Sequence, residues 1–287
     1  MNLVLERHTC RRGLLAARAS LLRLLTVSAV AGALLALPLA RASAEDPLPD
    51  PATLKGQNDH ETLPASPAPF KAGESLRFSV QYGFIHAGSA YLEVPEIADW
   101  NGHPVWRLVA RAESNGFFDK VYKVRNRIES MWDHDSLFSW RYFEDRHEGH
   151  YTANDTMVFH PDSGKVNYKN GQVYAIPAHV QDALSAFYFT RFQALPIGGS
   201  VFFDYHASRK SAPMEVRILG RDVVHTPAGK FKCIMIEPLL KAGGIFKNNG
   251  RLVIWITDDA RRMPVLMRSK VAIGSISVIL QDFKTGS

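Results

Sequence analysis

Seven consecutive residues, Glu144-Asp145-Arg146-His147-Glu148-Gly149-His150, hold three carboxylates and two histidines, the groups that bind divalent metals or move protons at neutral pH. Their setting argues against a shared ion. The run alternates like a strand, so His147 and His150 point to opposite faces, whereas two ligands of one ion would stand two positions apart. Glu144, Arg146, Glu148 and His150 fall on one face, and a cross-strand ladder of paired charges accounts for them without a ligand. Asp133-His134-Asp135 follows Trp132 and reads as a turn rich in capping groups. Asp258-Asp259-Ala260-Arg261-Arg262 reads as paired charges at a hairpin, because an acid–base pair would need burial to separate its pKa values. No residue is assigned as catalytic, as a metal ligand or as a cofactor contact, and no cofactor is expected.

Several chemistries are absent as motifs. Neither G-x-G-x-x-G nor G-x-x-x-x-G-K-[ST] occurs, and there is no G-x-S-x-G elbow, which removes the common nucleotide-binding and α/β-hydrolase signatures. Cys233 lies between Phe231 and Met235 in an alternating run, the place of a small buried hydrophobe. Aromatics are denser: Phe187, Tyr188, Phe189 and Phe192 precede Phe202, Phe203 and Tyr205, enough to fill a core and to line an apolar cavity if the surrounding sheet is large.

The elements that carry these residues follow a bipartite plan. Residues 1–44 place Arg7, Arg11, Arg12, Arg18 and Arg23 before an uncharged run of 17 residues, Leu24 to Ala40, and then Ala42-Ser43-Ala44. This is the layout of a secretory signal peptide cleaved near Ala44. The twin arginines leave both the general secretory and the twin-arginine route open, and Cys10 lies ahead of the apolar run, not at the cleavage point where a lipoprotein would need it. The expectation is a periplasmic or otherwise exported protein, soluble after cleavage, with no transmembrane segment in the mature chain. The leader holds six of the 34 basic and one of the 28 acidic residues. The remaining 28 basic and 27 acidic groups nearly cancel, so the pI of about 9.3 says little about the mature domain, and nucleic-acid binding is not expected. Lys120, Lys123, Arg125 and Arg127 read as a solvated strand face. Cys233 is the one cysteine left, so stability must come from the core, which 243 residues are enough to build.

Residues 45–70 are Pro-rich and read as a flexible leader. From Gly73 the pattern has period two, with Leu76, Phe78, Val80 and Tyr82 on one face. Further strands are predicted at 89–94, 105–113, 121–132, 138–151, 156–159, 165–168 and 172–176. One segment breaks the period: Asp182 is an N-cap candidate for a helix carrying Leu184, Phe187, Tyr188 and Phe192. Strands resume at 200–206, 215–219, 231–237, 252–257, 265–270 and 275–283. Some dozen strands joined by short turns must pair antiparallel. The predicted fold is mostly β: a single domain over 71–287, a large curled antiparallel sheet forming an open or half barrel, with one main helix covering or plugging it.

Ala72-Gly73-Glu74-Ser75-Leu76, Ala87-Gly88-Ser89-Ala90, Asp182-Ala183-Leu184-Ser185-Ala186-Phe187-Tyr188, Ala228-Gly229-Lys230-Phe231-Lys232-Cys233 and Trp255–Pro264, in this order, resemble the bacterial domain of unknown function 3108 between about Phe70 and Phe283. The resemblance implies an exported envelope protein with a sheet-and-helix fold similar to the open barrels of periplasmic lipoprotein carriers, and it supplies no catalytic residues. Three functions stay open: a non-catalytic periplasmic binding or carrier protein for a lipid, lipoprotein or other apolar envelope component; an envelope hydrolase using Glu144, Arg146 or His150; and a structural domain that docks to an envelope protein partner.

Overall fold

The computed structural model describes residues 68–240, 252–270 and 275–287; the predicted signal peptide, most of the Pro-rich leader and the turn at Asn248-Asn249-Gly250 lie outside them. Period-two alternation produces fourteen strands: β1 (Glu74–Tyr82), β2 (Ile85–Trp100), β3 (His103–Ser114), β4 (Val124–Asp133), β5 (Ser139–Glu148), β6 (Tyr151–His160), β7 (Lys165–Tyr168), β8 (Val173–Ala175), β9 (Ser200–Ala207), β10 (Lys210–Thr226), β11 (Gly229–Leu240), β12 (Leu252–Thr257), β13 (Pro264–Lys270) and β14 (Ser275–Thr285). All belong to one antiparallel sheet in the order β8-β7-β6-β5-β4-β3-β2-β1-β14-β13-β12-β11-β10-β9. Every neighbour in this order is a neighbour in sequence except β1 and β14. The sheet is therefore a ring of hairpins left open between β8 and β9, and the helix α1 (Ser185–Phe192) is inserted in the chain at that opening.

The inner face is a continuous apolar core, with Leu76, Phe78, Leu92, Leu108, Ile128, Trp132, Ile218, Ile234, Ile254 and Ile256 all less than 2% exposed. α1 plugs one end. Its Tyr188 and Phe192 meet Phe70 edge-on at 5.1 and 5.5 Å, Phe70 meets Trp106 at 5.1 Å, and Phe189 meets Phe203 at 5.1 Å. Such edge-to-face pairs add to the area they bury. Ala68–Phe70, which the sequence reading left in the leader, thus belong to the packed body.

Asp182 caps the turn that leads into α1. Its Oδ1 accepts the N–H groups of Leu184 and Ser185, each at 2.8 Å, and its carbonyl accepts Ala186 N–H at 2.9 Å. The predicted cap is in place, reinforced by Ser130 Oγ donating to Asp182 Oδ2 at 2.6 Å. Burial pushes this carboxyl above its usual pKa, against the pull of Ser130 and the capping N–H groups.

The open seam is stitched without a ladder. Gln181 N–H donates to Asp204 and Gln181 C=O accepts from His206, both at 2.9 Å, while Ser139 N–H donates to Val180 at 3.2 Å. Residues 180–181 thus tie β9 to the start of β5. Nearer the other end, Tyr168 of β7 and His206 Nε2 of β9 share a hydrogen bond of 2.9 Å, and Arg209 N–H donates to the same phenol oxygen at 2.9 Å.

Several boundaries differ from the prediction, two of them beside the cleft described below. The expected strand 138–151 is two strands, because Gly149 at φ +61° opens a two-residue turn of the kind that needs glycine at its first central position. Val121–Lys123, expected in a strand, close the β3–β4 loop.

Candidate functional site

The inner wall changes character from one strand to the next along its register lines. One line runs through Phe78, Ala90, Ala112, Asn126, Arg146 and Ala153, and the adjacent one through Leu76, Leu92, Ala110, Ile128, Glu144 and Asp155. On these lines β1–β3 supply only apolar groups, whereas β4–β6 add Asn126, Arg146, Glu144 and Asp155. Directly paired residues share a face, so Glu144, Arg146 and Glu148 project inward beside Tyr142 and not into solvent.

These groups bond to one another. Arg146 donates to Glu148 through Nη2 at 2.9 Å and Nε at 3.1 Å, Asn126 Nδ2 donates to the same oxygen at 2.8 Å, and Glu144 lies 3.9 Å from Arg146 Nη1. Tyr142 O–H donates to Glu144 at 3.2 Å. Burial raises the Glu144 pKa, opposed by Arg146 and that phenol. The expected cross-strand ladder is instead a row of charges along β5 itself, facing the inside of the barrel, with the neutral Asn126 reaching across from β4. His150 does not join it: it occupies the exposed turn after Gly149, and His147 points outward, exposed.

Next to this polar wall is a cleft at the end of the barrel away from α1. It is partly open to solvent and has a cavity volume of about 40 Å³ between Val80, Tyr82, Ala87, Gly88, Phe118 and Tyr122. Its floor is made of small residues. Gly88 is one of them by necessity, since a Cβ there would stand 2.0 Å from the carbonyl oxygen of Glu113. Val124, also lining the cleft, pairs with Glu148 across β4 and β5. The β3–β4 loop forms one lip and is held by Asp119, which pairs with Arg125 at 2.7 Å. Burial lifts the Tyr122 phenol to about 12, with the Glu148 charge adding to it, so this lining phenol stays a neutral donor.

The other sequence candidates are structural. Asp133 Oδ1 accepts the N–H groups of Asp135 and Ser136 and its Oδ2 accepts Trp140 Nε1, which makes the predicted capped turn. Asp258 pairs with Arg221 at 2.7 Å, and Asp259 with Arg261 at 2.6 Å. Cys233 is buried, its thiol pushed up to about 11 by that burial. Lys120 and Lys123 belong to the β3–β4 loop, not to a strand face.

Sequence reasoning missed two buried polar features. Arg191 of α1 grips Glu74 of β1, and Ser211 Oγ, His206 and Tyr168 form a chain with 2.8 and 2.9 Å links. The second superficially resembles a nucleophile–base pair. Burial, however, takes the His206 pKa down to about 4, leaving a weak base, and its partner is a phenol in the seam; the chain serves as a staple. Glu74 did carry a signal: it has the same parity as Leu76, Phe78 and Val80, an acid on an apolar face.

The family model described as protein of unknown function (DUF3108) matches residues 77–281. The chain belongs to this family. No curated protein matches it. Among solved structures, the DUF3108 chain is similar to a β-barrel-like protein of the domain of unknown function DUF1849 from Brucella abortus, with a TM-score of 0.50 at 8% identity over 74% of this chain and 97% of that one. This likeness concerns the fold alone. A candidate lipoprotein from Parabacteroides distasonis also matches, with a TM-score of 0.33 at 10% identity over 75% of this chain and 97% of that one. No helix among the described residues of this DUF3108 member is long and apolar enough to cross a membrane.

Proposed function

We propose that this protein is exported, is cleaved near Ala44, and acts in the cell envelope as a non-catalytic binding or carrier protein for a lipid or other apolar envelope component. The observation that carries this reading is the cleft between Val80, Tyr82, Ala87 and Phe118, partly open to solvent, mostly apolar in its lining and bordered by a polar inner wall. An amphiphile fits this division, with its hydrocarbon against β1–β3 and its polar part towards Tyr122 and the Asn126–Arg146–Glu148 cluster. The Arg-rich leader and Ala42-Ser43-Ala44 support export. Native mass spectrometry with lipid extraction, on protein purified from the periplasm, tests the proposal. A reproducible co-purifying amphiphile supports it; protein recovered without lipid, whose melting temperature is unmoved by added envelope lipids, counts against it.

The hydrolase alternative keeps one observation in its favour, the inward orientation of Glu144, Arg146 and Glu148. Against it, Glu148 is paired with Arg146 at 2.9 Å and His150 stands outside the barrel. We therefore place the cluster with binding and not with proton transfer.

A further inference from the structure

The lips of the cleft carry large apolar side chains that are exposed. Phe84, at the apex of the β1–β2 turn, is fully exposed, and Phe117 of the β3–β4 loop is 69% exposed. Ile85, Val121 and Tyr151, on the same three connections, are exposed as well. Antiparallel topology puts these connections at one end of the barrel, opposite α1: β1, β3 and β5 all finish there. Phenylalanines projecting from turn tips keep apolar area in water at a free-energy cost unless a surface receives them.

The connections themselves carry mostly basic charge, while the acid Glu113 at the end of β3 also lines the cleft. Lys120 and Lys123 flank Val121 and are exposed, and neither has an ion pair among the described residues. Asp119, the one acid of the β3–β4 loop, is neutralised by Arg125 at 2.7 Å. The β1–β2 turn has no acid at all, and Glu148, before the β5–β6 turn, faces inward onto Arg146. Separate aromatic tips interleaved with lysines differ from the flat, close-packed patch of a protein interface. They match the bilayer boundary, where rings enter the headgroup layer and ammonium groups meet anionic phosphates.

We propose that this end of the barrel docks on an anionic phospholipid surface, with Phe84 and Phe117 inserted and Lys120 and Lys123 against the headgroups, so that the cleft opens directly onto the membrane. The docking rests on the rim and not on the carrier reading, because it requires no cargo in the cleft. The two fail separately: vesicle binding without co-purifying lipid removes the carrier, and co-purifying lipid without vesicle binding removes the docking.

The test is co-sedimentation of protein purified from the periplasm with vesicles of phosphatidylglycerol and phosphatidylethanolamine, beside vesicles of phosphatidylcholine alone. Expected is partitioning onto the anionic vesicles that weakens with salt. Replacing both lysines, Lys120→Gln with Lys123→Gln, should lower it by about thirty-fold, and Phe84→Ser with Phe117→Ser by at least tenfold, with unchanged circular dichroism because all four side chains are exposed. In a Phe84→Trp variant, the emission difference from wild type should shift to the blue on binding and be quenched by lipids brominated near the headgroup. The proposal is overturned by wild-type protein that stays in the supernatant, by binding indifferent to both double variants, or by an emission difference in the Phe84→Trp variant that vesicles leave unchanged. Concentration-dependent dimerisation abolished by Phe84→Ser with Phe117→Ser, without vesicle binding, would overturn it in favour of a second copy of the chain.

Discussion

The guanidinium of Arg191 holds the carboxylate of Glu74 in a two-point grip, 2.7 Å from Nη1 to Oε1 and 2.8 Å from Nη2 to Oε2, with both side chains at most 3% exposed. Arg191 also donates to the carbonyl of Arg261 at 3.0 Å and lies over the Phe70 ring at 4.7 Å. One side chain of the plug thus touches the first strand, the segment before it and the β12–β13 loop.

Breaking this pair from one side leaves a buried charge without its partner. Arg191→Met or Glu74→Leu alone should each lower stability by about 3–5 kcal/mol, while the double replacement should recover most of the loss. A double-mutant cycle by urea denaturation measures this; additive single effects would mean the pair is not coupled.

His206 makes stability depend on pH. Its imidazole is expected near 6.5 in the unfolded chain and about 4 in the fold, so the unfolded state binds the extra proton between these values. Its contribution is complete above the unfolded value and is lost as pH falls towards the folded one, about 3 kcal/mol in all. Glu144 and Asp182, raised by burial, act in the opposite sense. The informative quantity is therefore the difference between wild type and His206→Gln: denaturation near pH 7 and near pH 4.5 should show a smaller loss in the variant.

Asp182 joins the plug to the wall. Asp182→Ala removes the acceptor for Leu184 N–H and Ser185 N–H and leaves Ser130 without its partner, and should cost about 2–4 kcal/mol. Asp182→Asn keeps a carbonyl oxygen for the two N–H groups and an amide for Ser130 Oγ, and should cost less than half as much. Equal losses in thermal or chemical denaturation would show that charge, not capping geometry, matters.

Ala87 lies at the lip of the cleft and is only partly buried. Ala87→Phe should fill the entrance with little change in melting temperature. Any lipid that co-purifies with the wild type should then fall by several fold in extracts, and undiminished lipid would place cargo elsewhere.

Much of the architecture was legible because alternation is a local property. Leu76-Phe78-Val80-Tyr82 announces an inner face in four residues, and the break at Asp182 announces the helix. Side-chain direction was harder. A charged stretch such as Glu144-Arg146-Glu148 reads as solvated by default, and only its shared parity with Tyr142 hinted at burial; Asn126 and Ser130 hid likewise among Val124, Ile128 and Trp132. β10 extends to Thr226 although the predicted strand stops at Leu219, because Gly220 and the charges after it interrupt the pattern while a register shift carries the ladder past them. The seam was beyond local reading altogether, since Tyr168 and His206 meet across 38 residues through the insertion of α1.

The strand order has a consequence for how the ring could be redrawn. In an ordinary up-and-down barrel the gap, if there is one, separates the first strand from the last; here β1 and β14 are fully paired, from Glu74–Thr285 to Tyr82–Ile276, and the gap falls between β8 and β9. The chain is thus a circular permutation of a plain meander. Joining the two paired ends and cutting in the connection after α1 would give the order β9 to β14 and then β1 to β8. Every hydrogen-bonded strand pair would then be a sequence neighbour, and the plug would become a terminal appendage, free to be deleted or exchanged without severing the wall.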